Sequence, residues 1–167
     1  MKIAVASDHA GFAYKKSIIL LLGRSGHEVR DFGTHSEAPV DYPLFIRPAA
    51  EAVAEKTCDL GVVLGGSGNG EAIAANKAAG IRCALCWNVE SALLAKKHNN
   101  ANMLSLGARM ISEEEALRIV TAWIEARFEG GRHQRRIDQI SDMEGQFHAA
   151  TLTRECLNPP SNPGSSN

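Results

Sequence analysis

The chain has 167 residues and 17.9 kDa, enough for one domain with a buried core, and 44% hydrophobic against 22% charged residues is typical of a globular protein. A net charge of −1 and an aromatic content of 5% argue against a nucleic-acid partner, so a small molecule is the expected partner. The apolar run at residues 18–22 is far shorter than the roughly 20 residues of a membrane span. We therefore predict a cytoplasmic protein with no membrane partner, whose four cysteines are reduced thiols.

Short apolar runs alternate with helical patterns from the first residues onward. The predicted strands cover residues 2–7, 28–32, 60–64, 82–87 and 103–106. The predicted helices cover residues 12–24, 42–56, 71–79, 89–98, 113–128 and 132–147. Ser112 and Glu115 form a capping-box pattern before the fifth helix. This alternation predicts an α/β fold with a parallel sheet, in which the ligand crevice lies at the carboxyl ends of the strands.

Residues 1–150 are predicted to form a single domain. Residues 151–167 are rich in proline, serine and asparagine toward their end, and we predict a flexible C-terminal tail there. The pair Cys83 and Cys86 has the CxxC spacing of a metal site, but it falls within a predicted strand. Side chains three residues apart in a strand point to opposite faces, so we predict no metal site there.

A glycine-rich segment, residues 65–71 with the sequence GGSGNGE, leaves the third strand and begins a helix. A P-loop would need lysine where Glu71 stands, and this carboxylate would repel a triphosphate. A dinucleotide-binding loop would need GxGxxG after the first strand, whereas here GxGxG follows the third. In a third interpretation Glu71 is a general base, and Ser67 with the backbone N–H groups stabilises an oxyanion. The alternative is that Glu71 only offsets the helix dipole.

Three other groups of polar residues follow strands or flank helix ends. Asp8 and His9 follow the first strand, and Asp8 is equally suited to cap the next helix. His98 ends a helix, where an imidazolium would complement the dipole. Arg132 and Arg136 share one face of the last helix and can grip a dianion together. An RNA contact through this basic cluster is a further alternative, and its binding would fall steeply with salt.

Six motifs in chain order resemble the ribose-5-phosphate isomerase B family, a sugar-phosphate isomerase family that also includes galactose-6-phosphate isomerase subunits. The resemblance covers residues 1 to about 148. The motifs are Ser7-Asp8-His9-Ala10-Gly11, Asp41-Tyr42-Pro43, the 65–71 segment, Ala74-Ala75-Asn76-Lys77, His98-Asn99-Asn100 and Gly131-Arg132-His133-Gln134-Arg135-Arg136.

The resemblance implies a Rossmann-like αβα sandwich with a five-stranded parallel sheet. It also implies a homodimer, or in some members a tetramer, with active sites at the subunit interface. The implied reaction is an aldose–ketose isomerisation of a phosphorylated sugar that needs neither a metal ion nor a cofactor. One branch of the family uses a cysteine base at the position of Gly65, so this chain resembles the branch with a glutamate base, Glu71.

Residue roles follow from the resemblance alone. The implied catalytic residues are Asp8, Ser67, Glu71 and His98, with His98 and Asp8 opening the sugar ring. The implied phosphate ligands are His9, Arg109, Arg132 and Arg136. The implied sugar-binding residues are His9, Tyr42, Gly66, Gly68, Asn69, Gly70 and Asn99. Two alternatives remain open, the same chemistry on another tetrose, pentose or hexose phosphate and a non-catalytic phosphosugar or nucleotide sensor. Whether burial or the helix dipole sets the pKa of Glu71 is also open.

Overall fold

The computed structural model describes the backbone of residues 1–157 and the side chains of residues 1–146. The strands are β1 (Lys2–Ser7), β2 (Glu28–Asp31), β3 (Leu60–Gly65), β4 (Cys83–Leu85) and β5 (Met103–Gly107). The helices are α1 (Phe12–Arg24), α2 (Pro43–Ala54), α3 (Asn69–Ala75), α4 (Val89–Asn99), α5 (Glu113–Glu125) and α6 (Arg132–Leu157).

The five strands form one parallel sheet in the order β2-β1-β3-β5-β4. This confirms the predicted Rossmann-like α/β fold and its five-stranded parallel sheet. Ser7 pairs in register with Leu64, and Gly65 pairs with Gly107, so β1, β3 and β5 end side by side. We call this side of the sheet the carboxyl edge and the opposite side, where the strands begin, the amino edge.

Two apolar cores cover the two faces of the sheet. One face packs against α1, α4 and α5 around Trp123, which is fully buried. The other face packs against α2 and α3 through smaller residues, mainly alanines. Cys83 belongs to the second core and Cys86 to the first, which confirms that their side chains point to opposite faces.

Most helices begin and end close to the predicted residues, but α3 does not. It begins at Asn69 rather than at residue 71, because Gly68 adopts a left-handed conformation (φ +79°) and turns the chain into the helix early. It ends at Ala75, and the amide of Asn76 bonds both main-chain groups of Cys83, at 2.8 and 2.9 Å. Of the predicted capping box before α5, the Ser112 hydroxyl accepts a bond from the N–H of Glu115.

Helix α6 runs to Leu157, ten residues past its predicted end, and so includes the first seven residues of the predicted tail. Residues 158–167 of that tail lie outside the described residues. The helix follows the amino edge, where the Glu144 carboxylate accepts a bond from the N–H of Gly80, just before β4. Among the described helices, none combines the length and apolar character of a membrane span.

Candidate active site

An open cleft of about 350 Å³ lies at the carboxyl edge, where the predicted crevice was expected. It is lined by Asp8, Tyr42, Gly66, Ser67, Gly70, Glu71, Arg109 and Met110. All of these except Met110 are residues that the resemblance implied. A larger hollow of about 470 Å³ lies between α2 and α3, away from the strand ends, and its Arg47 and Glu51 pair with each other at 2.7 Å.

The Glu71 carboxylate is the most buried charged group of this cleft, with 3% of the residue exposed. Burial raises its pKa, the negative charge of Asp8 raises it further, and a hydrogen bond from its own backbone N–H lowers it. The net shift is upward, so burial outweighs this hydrogen bond. A carboxyl with a raised pKa is suited to accept and return a proton near neutral pH.

The lack of a side chain at Gly65 leaves space for the Glu71 carboxylate. A Cβ built on Gly65 would overlap the carboxylate, and all three of its nearest atoms belong to Glu71. A side chain at residue 65, including a cysteine, therefore occupies the same space as the carboxylate of residue 71. The absence of a side chain at residue 65 therefore leaves room for the Glu71 carboxylate.

The glycine loop is held in place by β5. The fully buried Ser105 hydroxyl donates a 2.7 Å bond to the Gly68 carbonyl. A Cβ at Gly68 would lie 2.9 Å from the backbone of Leu106, so the loop approaches β5 more closely than a larger residue allows. The Ser67 hydroxyl accepts a 3.3 Å bond from the N–H of Asn69. These contacts keep Ser67 and the loop backbone at the rim of the cleft.

Two further glycines let bulky side chains approach the backbone of this loop. A Cβ at Gly70 would lie 2.7 Å from the Tyr42 ring, so the ring rests on the loop. A Cβ at Gly66 would lie 3.3 Å from the Arg109 guanidinium, which is exposed and borders the cleft. An anionic group in the cleft would therefore meet Arg109 on one side and an aromatic ring on the other.

Asp8 and His9 complete this edge. The Asp8 carboxylate accepts a 3.0 Å bond from the N–H of Gly11 and closes the turn before α1, but the N-cap residue of that helix is Gly11, not Asp8. The charge of Asp8 also acts on Glu71. The His9 Nδ1 accepts a 3.3 Å bond from the N–H of Val40. His9 therefore ties the segment between β2 and α2 to the carboxyl edge, beside the cleft.

The other implied residues lie at the amino edge of the same chain. Helix α4 runs back from the end of β4, so its last residues, His98 and Asn99, lie where the strands begin. Arg82, just before β4, donates a 3.0 Å bond to the Asn99 carbonyl there. Arg132 and Arg136 lie in the first turns of α6, beside the end of α4. Strands of five or six residues span about 16–20 Å, so one chain does not bring these residues to the Glu71 cleft.

Two histidines and a glutamate form a compact cluster at this amino edge. The His98 and His133 rings stack with centroids 4.3 Å apart and planes 4° from parallel. The Nε2 atoms of both face Oε2 of Glu129, at 3.7 and 4.0 Å. A metal ion would have to lie in the plane of each ligating ring, and two stacked parallel planes do not share such a point. His98, Glu129 and His133 are therefore not arranged as ligands of one metal ion, although their ligand atoms lie within 4.8 Å of one another.

Glu129 and Ser105 were not among the residues implied by the sequence. Glu129 stands 31 positions after His98, and no spacing rule connects a helix end with a residue on a later connection. Ser105 lies within a buried strand, where serine usually signals only tight packing. Met110, which also lines the cleft, gives no signal that could have been detected.

Comparisons with known proteins agree on one family. Residues 3–140 match the family described as Ribose/Galactose Isomerase. Ribose-5-phosphate isomerase B of Mycolicibacterium paratuberculosis is 49% identical over 151 residues, covering 89% of this chain and 95% of that protein. The solved structure of Clostridium thermocellum ribose-5-phosphate isomerase B has a TM-score of 0.87 at 46% identity and covers 88% of this chain and 99% of that one. A structure of the Mycoplasma genitalium enzyme with bound ribulose-5-phosphate has a TM-score of 0.84 at 41% identity, covering 86% and 96%.

Proposed function

The chain belongs to the ribose/galactose isomerase family, and on that premise we propose that it interconverts D-ribose 5-phosphate and D-ribulose 5-phosphate without a metal ion. The names of its relatives and the ribulose-5-phosphate bound to one of them support this substrate pair. The observation that carries the proposal is the buried Glu71 carboxylate in the cleft, with its raised pKa and no side chain at Gly65 to displace it.

Glu71 is the base in this proposal. The carboxylate takes the proton from C2 of the open-chain aldose, and the electrons of that bond form the C1–C2 double bond of a cis-enediolate. The O2 proton passes to O1, Glu71 returns its proton to C1, and the carbonyl is then at C2. No atom is gained or lost, and the carboxylate ends as it began. A general base of this kind contributes a rate factor of about 10²–10⁴.

The enediolate carries negative charge on its oxygens, and the glycine loop is suited to stabilise that charge. The Ser67 hydroxyl and the N–H groups of Gly66, Gly68 and Gly70 are the donors in this proposal, while the N–H of Asn69 donates to the Ser67 hydroxyl. Removing one such donor typically lowers the rate by about 10²–10³. Tyr42, which rests on the loop, lines the sugar site, and Arg109 and His9 bind the phosphate.

We further propose a homodimer in which a second copy brings its amino-edge residues to this cleft. In that arrangement His98, helped by Asp8, opens the furanose ring, Asn99 contacts the sugar, and Arg132 with Arg136 completes the phosphate site. The support for it is topological, since the two groups of residues lie at opposite edges of one sheet. Exposed apolar side chains on α3 and α6, at Ile73 and Met143, fit a buried contact between copies.

The test is turnover of D-ribose 5-phosphate by the purified protein in EDTA, followed as ketose formation. We expect rapid turnover by the wild type and a rate lower by about 10²–10⁴ in Glu71→Gln. The control is Glu90→Gln, in which an exposed glutamate in the first turn of α4 is changed in the same way, and it should keep the wild-type rate. A wild type that acts only on tetrose or hexose phosphates would keep the chemistry and change the substrate. A wild type without activity on any of these sugars would leave a phosphosugar-binding protein.

A further inference from the structure

The backbone at Glu129 is held in place on both sides. The N–H of Glu129 donates a 3.0 Å bond to the Lys97 carbonyl at the end of α4. The next two glycines have positive φ angles, and the N–H of His133 bonds back to the Gly130 carbonyl at 3.1 Å. This turn folds the start of α6 onto the end of α4. It brings Glu129, His98 and His133 together from three different elements.

Positive groups surround the histidine pair, and Glu129 is the anion that faces it. His133 is buried, and its pKa is lowered by burial and by His98, Arg132 and Arg136, whereas Glu129 acts in the opposite direction. Lys97 lies 4.0 Å from the same carboxylate. It is costly for two stacked imidazoles to be positively charged imidazolium ions at the same time. One carboxylate therefore matches one positive charge that the two rings share.

We propose that Glu129 is a positioning residue for the ring-opening step, acting through the stacked His98 and His133. This inference rests on the proposed function. Ring opening breaks the C1–O4 bond of the furanose, moves the proton of the anomeric hydroxyl to a base, forms the C1 carbonyl and delivers a proton to O4. An imidazole that takes the first proton and gives the second ends unchanged. Nε2 of His98 is turned toward the carboxylate, 3.7 Å from Oε2, so in this proposal Nδ1 is the nitrogen that exchanges protons with the sugar.

The first test measures the titration of His133 within the cluster and does not depend on catalytic activity. The ring protons of His133 are titrated by NMR in the wild type, in Glu129→Gln and in Glu125→Gln. Glu125 is an exposed glutamate at the end of α5, so this control makes the same chemical change nearby. We expect His133 to titrate at lower pH in Glu129→Gln only, because the variant removes the group that raises its pKa. An unchanged His133 titration in Glu129→Gln would overturn the proposal.

The second test separates ring opening from proton transfer at carbon. D-ribulose 5-phosphate has no furanose form, since its C5 oxygen carries the phosphate, so exchange of its C1 hydrogen with D₂O needs no ring opening. We expect Glu129→Gln to lower kcat/KM for D-ribose 5-phosphate by about 10–10²-fold, the size of the effect when a metal-bound histidine loses its carboxylate partner. We expect the exchange rate to stay within about twofold. Glu129→Asp, which keeps the charge, should recover part of kcat/KM.

Each outcome has one meaning. A parallel loss of turnover and exchange in Glu129→Gln would make Glu129 a structural residue and overturn the proposal. Wild-type kinetics in Glu129→Gln would overturn it as well, and the proposed function would stand. A wild type that neither turns over nor exchanges would overturn the proposed function, and this inference with it.

Discussion

Adding one methyl group at Gly65 should abolish most of the activity while the protein stays folded. The new Cβ of Gly65→Ala would overlap the Glu71 carboxylate, which is the far end of a rotatable side chain and can swing aside. If the base is displaced, the rate should fall by about 10²–10⁴, equivalent to about 2.7–5.4 kcal/mol in the activation barrier. Overpacking of this kind costs about 1–3 kcal/mol of unfolding free energy.

The assay compares initial rates and thermal unfolding of the variant with those of Gly23→Ala. A Cβ at Gly23, on the exposed side of α1, would meet no atom within 4 Å, so this control adds the same methyl group without a clash. We expect the control to keep its rate and to gain about 0.5–1 kcal/mol from the better helix propensity of alanine. Gly65→Ala should lower Tm by about 2–12 °C. Full activity in Gly65→Ala would refute the position of the base.

The same overlap allows a sharper version of this prediction. Gly65→Cys alone should be nearly inactive, since thiol and carboxylate compete for one space. The double variant Gly65→Cys with Glu71→Ala leaves the thiol alone in that space and should regain activity relative to either single variant. If the double variant is less active than both single variants, the two positions do not share one site of proton transfer.

Three further predictions follow from buried groups. Because burial raises the pKa of Glu71 above its ordinary value of 4.5, the charged carboxylate destabilises the fold at pH values above the raised pKa and not below 4.5. Glu71→Gln should therefore have a higher Tm than the wild type at pH 7–8, and this difference in Tm should shrink as the pH falls toward 4.5. A difference in Tm that grows on acidification would contradict this. Ser105→Ala removes the donor to the Gly68 carbonyl and should cost about 1–3 kcal/mol in urea unfolding together with part of kcat, whereas unchanged unfolding would show that the loop does not need this bond. Burial raises the pKa of Cys83 to about 12 and that of Cys86 to about 11, so peptide-resolved iodoacetamide labelling at pH 8 should leave both unmodified until the protein is unfolded, and rapid labelling of the folded protein would disagree with their burial.

Local sequence signals predicted the fold well, because each one reflects a local physical cause. The apolar run of residues 2–7 and the helical pattern of residues 12–24 match β1 and α1 residue for residue. Boundaries set by tertiary contacts were harder to predict. Asn76 ends α3 by bonding the backbone of Cys83, and no rule for helix ends contains a partner in the following strand.

The features of the site also fall into those that local sequence predicted and those that depend on tertiary contacts. The segments after β1, β3 and β5 were placed correctly, since parallel strands bring their carboxyl ends to one edge. The burial of Glu71 decided which way its pKa moves, and burial depends on how Gly65, Tyr42 and the loop pack together. The place of Glu129 beside the histidines was not predicted from the sequence, because it depends on a backbone bond to Lys97 in α4.

The central claim is that Glu71 moves a proton between C1 and C2. The direct measurement is exchange of the C1 hydrogen of D-ribulose 5-phosphate with D₂O in the presence of EDTA, followed by NMR for the wild type, Glu71→Gln and Glu90→Gln. The proposed mechanism predicts rapid exchange by the wild type and Glu90→Gln, and exchange slower by about 10²–10⁴ in Glu71→Gln. Exchange at the wild-type rate in Glu71→Gln would contradict it, since another group would then be the base.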